Sequence, residues 1–241
     1  SGNMNDSITV KFKEIDVPYI LDLANFHSVE FSGTASGTAS IKSFFHQPKM
    51  EANLEVHNFK FEKGDMGTLY ANVNYDKEGK IGIDAHADTD DGALTEIKGY
   101  VDIKNSYINL PIYAHNTHLS FLKTFCDSFM DKIKLRANGW CKVVGPLSDV
   151  NLEGDMEANG NVYIKPTGTT YDLMRGRIRI IPNEIIFAND TITDPYGHIG
   201  IITGGLHHNS LRHLTYDINV EAQNLLAYNF PKHLGDRKSV V

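Results

Sequence analysis

Apolar and polar residues alternate along most of this chain, which is the repeat of a β-strand with one apolar face. The alternation is clearest over residues 69–75, 81–87, 97–103 and 108–114, and it returns in the second half. Turn-forming sequences interrupt it about every 10–17 residues, which predicts strands longer than usual. The predicted turns are Asp76–Gly79, Asp90–Gly92, Lys104–Ser106, Gly145–Pro146, Pro166–Gly168, Pro182–Asn183 and Asp194–Gly197. The pattern therefore predicts an all-β fold of long antiparallel strands, each with one face toward water.

One segment departs from this alternation. Between residues 119 and 133, apolar residues follow helical spacing, with charged residues among them. The spacing predicts one amphipathic linker α-helix over 119–133, whose apolar stripe caps or plugs an open end of the β core. The apolar residues that define it are Leu119, Leu122, Phe125, Phe129 and Ile133.

The two halves of the chain also resemble each other. Met50 and Glu51 correspond to Leu152 and Glu153 at an offset of 102 residues, and the same offset relates Leu54-Glu55 to Met156-Glu157. A duplicated strand-rich unit is typical of stacked or elongated β architectures. We expect five regions: an N-terminal flanking segment (1–28), a first β repeat (29–118), the linker helix (119–133), a second β repeat (134–230) and a tail (231–241).

Composition and charge narrow the function classes. The 241 residues carry a formal charge of −7, which does not fit a nucleic-acid-binding surface. Arg175, Arg177 and Arg179 alternate along one strand, where they form either a phosphate contact or, as we favour, a solvated strand face. No run of 18 apolar residues predicts a transmembrane helix. The first and last residues read as those of a piece cut from a longer protein.

Candidate catalytic and metal-binding residues are weak in this sequence. His207, His208 and His213 cluster with His198 upstream, but adjacent strand residues point to opposite faces, so hairpin-surface histidines are the expectation. The run Asn74–Gly79 imitates the start of a calcium loop, yet Ala85 stands where the bidentate glutamate belongs. Asp88, Asp90 and Asp91 read as a charged turn, and Cys126 and Cys141 as two independent buried thiols. Gly33–Gly37 is not a nucleophile elbow, because its serine is one place late.

A sheet with one apolar face must bury that face. Two such sheets can close as a sandwich, or one sheet can curl lengthwise into a trough whose apolar face lines a groove. We expect the second arrangement, and we leave open whether the groove is open or packed on itself. The expected lining residues are Leu54, Val56, Leu69, Val73, Ile81, Ile83, Ile97, Val101, Ile108, Leu110, Ile112, Leu135, Leu152, Met156, Ile178, Ile180, Ile185, Phe187, Ile218 and Val220.

Residues 154–229 contain motifs in a distinctive order. A glycine-rich strand over 154–164 precedes Thr170-Tyr171-Asp172, then an Ile-x-Phe-x-Asn strand over 185–189 and the Asp194–Gly197 turn. Gly205-Leu-His-His and Tyr216–Val220 follow, with Asn224-Leu225 at the end. This region resembles the C-terminal region of the TamB family, the inner-membrane component of the translocation and assembly module, within the AsmA-like superfamily. The resemblance is to members from Bacteroidota.

The resemblance implies a function and a location. It implies a non-enzymatic periplasmic segment of an inner-membrane-anchored protein in a diderm bacterium, with a β-taco trough and no cofactor. The apolar groove would shield the acyl chains of a phospholipid during transport between the inner and outer membranes, in outer-membrane biogenesis. An alternative is an interaction scaffold whose sheet edges assist assembly or secretion of outer-membrane β-barrel proteins with an Omp85-like component. A remote alternative is a carbohydrate-active β-solenoid enzyme, for which Glu51, Glu55, Glu153 and Glu157 would be the carboxylates.

Overall fold

Within the residues that the structure describes, the chain is almost entirely β-strand. The computed structural model describes residues 7–19, 30–42, 49–76, 78–209, 212–229 and 238–240. The strands are β1 (Ser7–Asp16), β2 (Phe31–Lys42), β3 (Lys49–Phe61), β4 (Gly64–Tyr75), β5 (Lys80–Asp88), β6 (Leu94–Asp102), β7 (Tyr107–His118), β8 (Met130–Pro146), β9 (Asn151–Ile164), β10 (Thr169–Ile181), β11 (Glu184–Thr193), β12 (Ile199–Asn209), β13 (Arg212–Ala222), β14 (Leu226–Asn229) and β15 (Lys238–Val240).

The first thirteen strands form one antiparallel sheet in which their order follows the sequence, from β1 at one edge to β13 at the other. A second, two-stranded sheet pairs β14 with β15. The strands of the large sheet run from nine residues in β5 to 17 in β8. The predicted all-β fold of long antiparallel strands is therefore confirmed.

Each predicted turn lies at or beside a junction between two strands. In the β4–β5 turn, Asp76 accepts hydrogen bonds at Oδ1 from the backbone N–H groups of Glu78 (2.9 Å) and Lys80 (3.0 Å). This side-chain-to-backbone pattern is the reason aspartate favours turns. The run that imitates a calcium loop is thus a β-hairpin turn.

The predicted helix over 119–133 is too long. Within this segment the structure has a helix only at Leu122–Cys126, and Met130–Ile133 already belong to β8. A further short helical turn covers residues 17–19. Of the five residues with helical spacing, only Leu119 and Ile133 become buried, at 7% and 9% exposure, while Leu122, Phe125 and Phe129 stay half-buried. Ile133 is buried as a strand residue, because Ile133, Leu135 and Ala137 continue the alternation of β8. Tertiary packing and strand pairing therefore override the helical period at its C-terminal end.

The chain divides into two compact units. Unit 1 contains residues 1–115 and 142–151, and unit 2 contains residues 116–141 and 152–241. Within unit 2, the ring of Phe129, which immediately precedes β8, lies 5.0 Å from the ring of Tyr216 in β13. Because β8 and β13 are five strands apart in the sheet, this contact requires the sheet of unit 2 to bend back toward itself.

Gly204 adopts a backbone conformation that strains other residues, and it lies where β12 approaches β13 closely. Its φ is +107°, and a Cβ atom there would lie 2.0 Å from the carbonyl oxygen of Asp217. Gly197 also has a positive φ, +85°, but a Cβ atom there would meet nothing within 4 Å.

We expect Gly197→Ala to lower the free energy of unfolding by about 1 kcal/mol, from backbone strain alone. Gly204→Ala should lower it by at least about 1 kcal/mol more, because its Cβ atom also clashes. Urea unfolding of the two variants checks this, and equal losses would contradict it.

Candidate functional site

The register of unit 1 places its apolar residues in continuous rows on one face of the sheet. Directly paired residues of antiparallel strands share a face. One row runs from Leu54 through Ala71, Ala85 and Ile97 to Ile112 across strands β3 to β7. The neighbouring rows contain Val56-Leu69-Ala87 and Val73-Ile83. We call this surface the unit 1 apolar face.

Unit 2 has a corresponding surface. One row joins Met156, Ile178, Phe187, Gly204 and Ile218 across strands β9 to β13. A parallel row joins Ile180, Ile185 and Leu206, and Ile202 pairs with Val220. We call this surface the unit 2 apolar face.

The structure places the residues predicted to line a groove on these two faces. Strand pairing or alternation places all eleven predicted residues of unit 1 and all nine of unit 2 on the apolar faces. Leu135 and Leu152 are assigned by alternation within β8 and β9. The unit 1 set is Leu54, Val56, Leu69, Val73, Ile81, Ile83, Ile97, Val101, Ile108, Leu110 and Ile112. The unit 2 set is Leu135, Leu152, Met156, Ile178, Ile180, Ile185, Phe187, Ile218 and Val220.

Most of the unit 1 apolar face stays partly open to solvent. Val73, Ile83, Ile97 and Leu110 are half-buried, as are the other large aliphatic residues of these rows except Val56. The fully buried positions include several small residues, namely Ala35, Ala85, Ala87 and Ala114, at 1–6% exposure. A face of large aliphatic side chains that remains half-exposed can accept an apolar ligand.

The opposite face of unit 1 is polar and carries ion pairs. Lys98 Nζ lies 3.0 Å from Asp84 Oδ2, and His115 Nε2 lies 3.0 Å from Glu96 Oε2. All four side chains are more than half exposed, so each pair adds little to stability. The two faces of the unit 1 sheet therefore differ in polarity.

Residues 223–229, which we call the C-terminal strap, cover one end of the unit 2 apolar face. Leu225 (4% exposed) packs in a cluster with Tyr171 and Ile192, against Leu173 and Ile202. The Tyr171 hydroxyl donates a hydrogen bond of 2.6 Å to the carbonyl oxygen of Leu226. Leu225 of the strap thus covers apolar surface of unit 2 that would otherwise be exposed.

Asp194 attaches the strap to the β11–β12 turn. Its Oδ1 accepts hydrogen bonds from the backbone N–H groups of Tyr196 (2.8 Å) and His198 (2.9 Å). Its Oδ2 accepts one from the Leu226 N–H group (2.9 Å) and lies 2.9 Å from His198 Nδ1. Burial alone would raise the pKa of this carboxyl group, but the hydrogen bonds from His198, Leu226 and Tyr196 lower it to about 2. We call these hydrogen bonds of Asp194 with Tyr196, His198 and Leu226 the polar lock. From the sequence, Asp194 is recognisable only as part of a turn motif.

A second buried carboxylate lies in β11. Asp190 is 5% exposed, and its Oδ1 accepts a hydrogen bond from the Arg177 N–H group at 2.6 Å. Burial raises the pKa of Asp190, although the backbone hydrogen bonds from Arg177 and Ala188 oppose the rise. It pairs with Ile202 beside a bulge in β11. Asp190 interrupts the apolar alternation of β11. In the sequence, this interruption alone marks Asp190 as unusual.

The remaining candidates do not come together as a reactive site. Cys126 and Cys141 are free thiols as predicted, with Cys126 buried and Cys141 partly so, and burial raises the pKa of each to about 11. His207 is exposed near Glu184, but His208 is buried, so the expectation of surface histidines is wrong for His208, which lies on the opposite strand face. The side chain of His213 lies outside the described residues. Among the residues described, no group of three or more histidine, cysteine or acidic side chains could hold a metal ion.

The predicted carboxylates and arginines lie on polar faces. Glu51 and Glu55 share the face of β3 opposite Leu54, and Glu157 pairs with Arg177 across β9 and β10. Arg177 forms an ion pair of 3.0 Å with Asp155. Arg175 lies in a bulge with φ +53°, so the expected regular row of three arginines is broken there. No helix in the described part of the chain is long and apolar enough to cross a membrane.

Comparison with known proteins identifies no similar protein. The chain matches no protein-family model, no curated protein and no solved structure.

Proposed function

We propose that this chain binds the acyl chains of lipids along its apolar faces and shields them from water in transit between two membranes. The observation that carries the proposal is the half-exposed unit 1 apolar face, where paired strands align aliphatic residues in continuous rows. Burying acyl chains there gains about 0.8 kcal/mol for each CH₂ group removed from water. A lipid with two long chains would therefore gain a large favourable free energy even from partial shielding.

The chemistry of the lining suits movement along it. The rows contain isoleucine, leucine, valine and alanine. None of the five residues in the row that starts at Leu54 and ends at Ile112 is charged. A uniform aliphatic surface offers an acyl chain similar contacts at each step, because dispersion contacts are weak individually and non-directional. Head groups would stay in water at the margin. The proposed function needs no catalytic residue, and on the resemblance to the TamB family we propose a periplasmic location in a diderm bacterium.

Site-specific crosslinking tests this proposal. A photoreactive amino acid at Ile83 or Ile180 should crosslink to phospholipid, and native mass spectrometry should find co-purified lipid. The matched controls are probes at Asp84 and Arg179, which are sequence neighbours of Ile83 and Ile180 in the same strands and lie on the opposite face. Equal crosslinking at all four positions, or none with lipid supplied as vesicles, would reject it.

The unpaired edges of the sheet favour a second candidate function. β1 forms one edge, and Ile8 and Val10 in it are 55% and 56% exposed. β13 forms the other edge, with Tyr216 61% exposed. An unpaired edge can add a strand from another protein, such as an outer-membrane β-barrel protein or an Omp85-like component. Proline substitutions along β13 should then abolish capture of that partner while leaving lipid crosslinking at Ile83 intact.

A further inference from the structure

The single tryptophan of the chain lies on the polar side of unit 2. Trp140 in β8 is 43% exposed. Its neighbours Gly139 and Cys141 lie against Met156 and Gly154 of β9, which belong to the apolar side. Because successive strand residues alternate, the indole of Trp140 points to the opposite side. An exposed indole on a charged sheet face has no role in the apolar site described above.

A shallow cleft surrounds this indole. Its volume is about 320 Å³, at the lower end of the range for small-molecule sites. Besides Gly154 and Ile180, the residues that line it are six: Trp140, Glu153, Asp155, Arg179, Ile181 and Pro182. All six belong to unit 2. The cleft therefore combines one aromatic surface with two carboxylates and one guanidinium group.

The charged groups of the cleft are not all engaged with each other. Asp155 pairs in register with Arg179, but its carboxylate forms the ion pair with Arg177 instead. The Arg179 side chain is exposed and makes no hydrogen bond or ion pair with any residue that the structure describes. A guanidinium group carries five N–H donors. Arg179 thus presents unused donors beside an exposed aromatic ring.

We propose that this cleft binds a pyranose ring of a saccharide. The apolar C–H face of a pyranose stacks on an indole, whose large flat surface gains from removal of water. The hydroxyl groups at its margin need both donors and acceptors, which Arg179 and the carboxylates of Glu153 and Asp155 supply. A nucleic-acid base also stacks on indole, but two carboxylates and a net charge of −7 disfavour its phosphates. The site is independent of the proposed lipid function, because it lies on the opposite side of the sheet.

Fluorescence provides a direct test, since Trp140 is the only tryptophan. The intact chain is titrated with cellohexaose, chitohexaose and maltohexaose up to the roughly millimolar range expected of a weak site. We expect at least one oligosaccharide to change the Trp140 emission with saturation. Arg179→Ala should weaken that binding about fivefold or more, equivalent to about 1 kcal/mol. The control Arg175→Ala, an exposed arginine of the same strand outside the cleft, should not.

Calorimetry completes the test without relying on the fluorophore. Trp140→Ala should abolish the heat of binding for the active oligosaccharide, while Trp140→Phe should retain part of it because an aromatic face remains. Absence of a response to all three oligosaccharides would overturn the proposal. So would equal affinity in wild type and Arg179→Ala. Neither result would affect lipid crosslinking at Ile83.

Discussion

Asp194→Ala is expected to release the C-terminal strap and to lower the free energy of unfolding of unit 2 by about 2 kcal/mol or more. The substitution leaves the buried N–H group of Leu226 without its acceptor, which alone costs about 1–3 kcal/mol. The N–H groups of Tyr196 and His198, whose hydrogen bonds are only part-buried, lose the same acceptor at a smaller cost because water can replace it. Hydrogen exchange should show loss of protection first at residues 225–226, and urea unfolding should give the free energy. Asp172→Ala, at an exposed aspartate of β10, is the matched control and should cost less than about 0.5 kcal/mol.

Asp194→Asn distinguishes the hydrogen bonds that Asp194 accepts from the turn from the one that it accepts from the strap. One amide oxygen can still accept the hydrogen bonds from Tyr196 and His198, but the amide nitrogen then faces the N–H group of Leu226 and repels it. We expect faster exchange in the strap with a smaller loss of overall stability than in Asp194→Ala. If the alanine variant is as stable as Asp172→Ala, the lock contributes nothing and this interpretation fails.

The pH dependence follows from the same group. The pKa of Asp194 falls from an ordinary 3.8 to about 2 on folding, so the folded state favours the charged carboxylate. Its contribution is fully present above about pH 4 and is lost as the pH falls through 2. Strap protection in the wild type should therefore decline between pH 4 and pH 2. Asp194→Asn should lack this transition.

Ile83→Asp is expected to reduce lipid bound to unit 1 about tenfold or more. Ile83 is half-buried on the unit 1 apolar face between Val73 and Gly99. An acyl chain there would have to remove the new carboxylate from water, at a cost of several kcal/mol, and 1.4 kcal/mol already corresponds to tenfold. Lipid per protein, measured by mass spectrometry after incubation with phospholipid vesicles, gives the result.

Two further variants keep this test decisive. Asp84→Asn changes the adjacent residue on the polar face, where it loses its ion pair with Lys98, and should leave lipid binding unchanged. Ile83→Ser introduces a neutral polar group with less risk to folding and should reduce lipid binding less than Ile83→Asp does. Circular dichroism of each variant confirms the β content. Undiminished lipid binding in a folded Ile83→Asp protein would exclude this face as the lipid site.

The sequence predicted the strands and the turns because both depend on local chemistry. Alternation over residues 81–87 determines which side chains share a face, and Asp76 shapes its turn through its own carboxylate. The helix was predicted too long because Phe129 and Ile133 continue a helical spacing by coincidence, whereas Ile133 is buried through strand alternation in β8. Local pattern cannot distinguish these cases when a segment spans both structures.

The lock and the cleft depend on contacts between distant residues. Tyr171 and Leu226 are separated by 55 positions, and Asp194 and Leu226 by 32. Trp140 and Arg179 meet through the order β8-β9-β10. The sequence marked Thr170–Asp172, Asp194–Gly197 and Asn224-Leu225 as separate motifs, but only the fold shows that they form one assembly.

The sequential order of the thirteen strands has a consequence for how such a chain can change in length. Every strand of the large sheet pairs only with its neighbours in the sequence. A hairpin inserted or deleted between two others would therefore break one strand pairing and restore an equivalent one. Each added hairpin would widen the sheet by about 9.6 Å, twice the spacing between strands. Gene duplication could thus adjust the span of such a protein in hairpin-sized steps, provided that each new strand keeps the alternation of its neighbours.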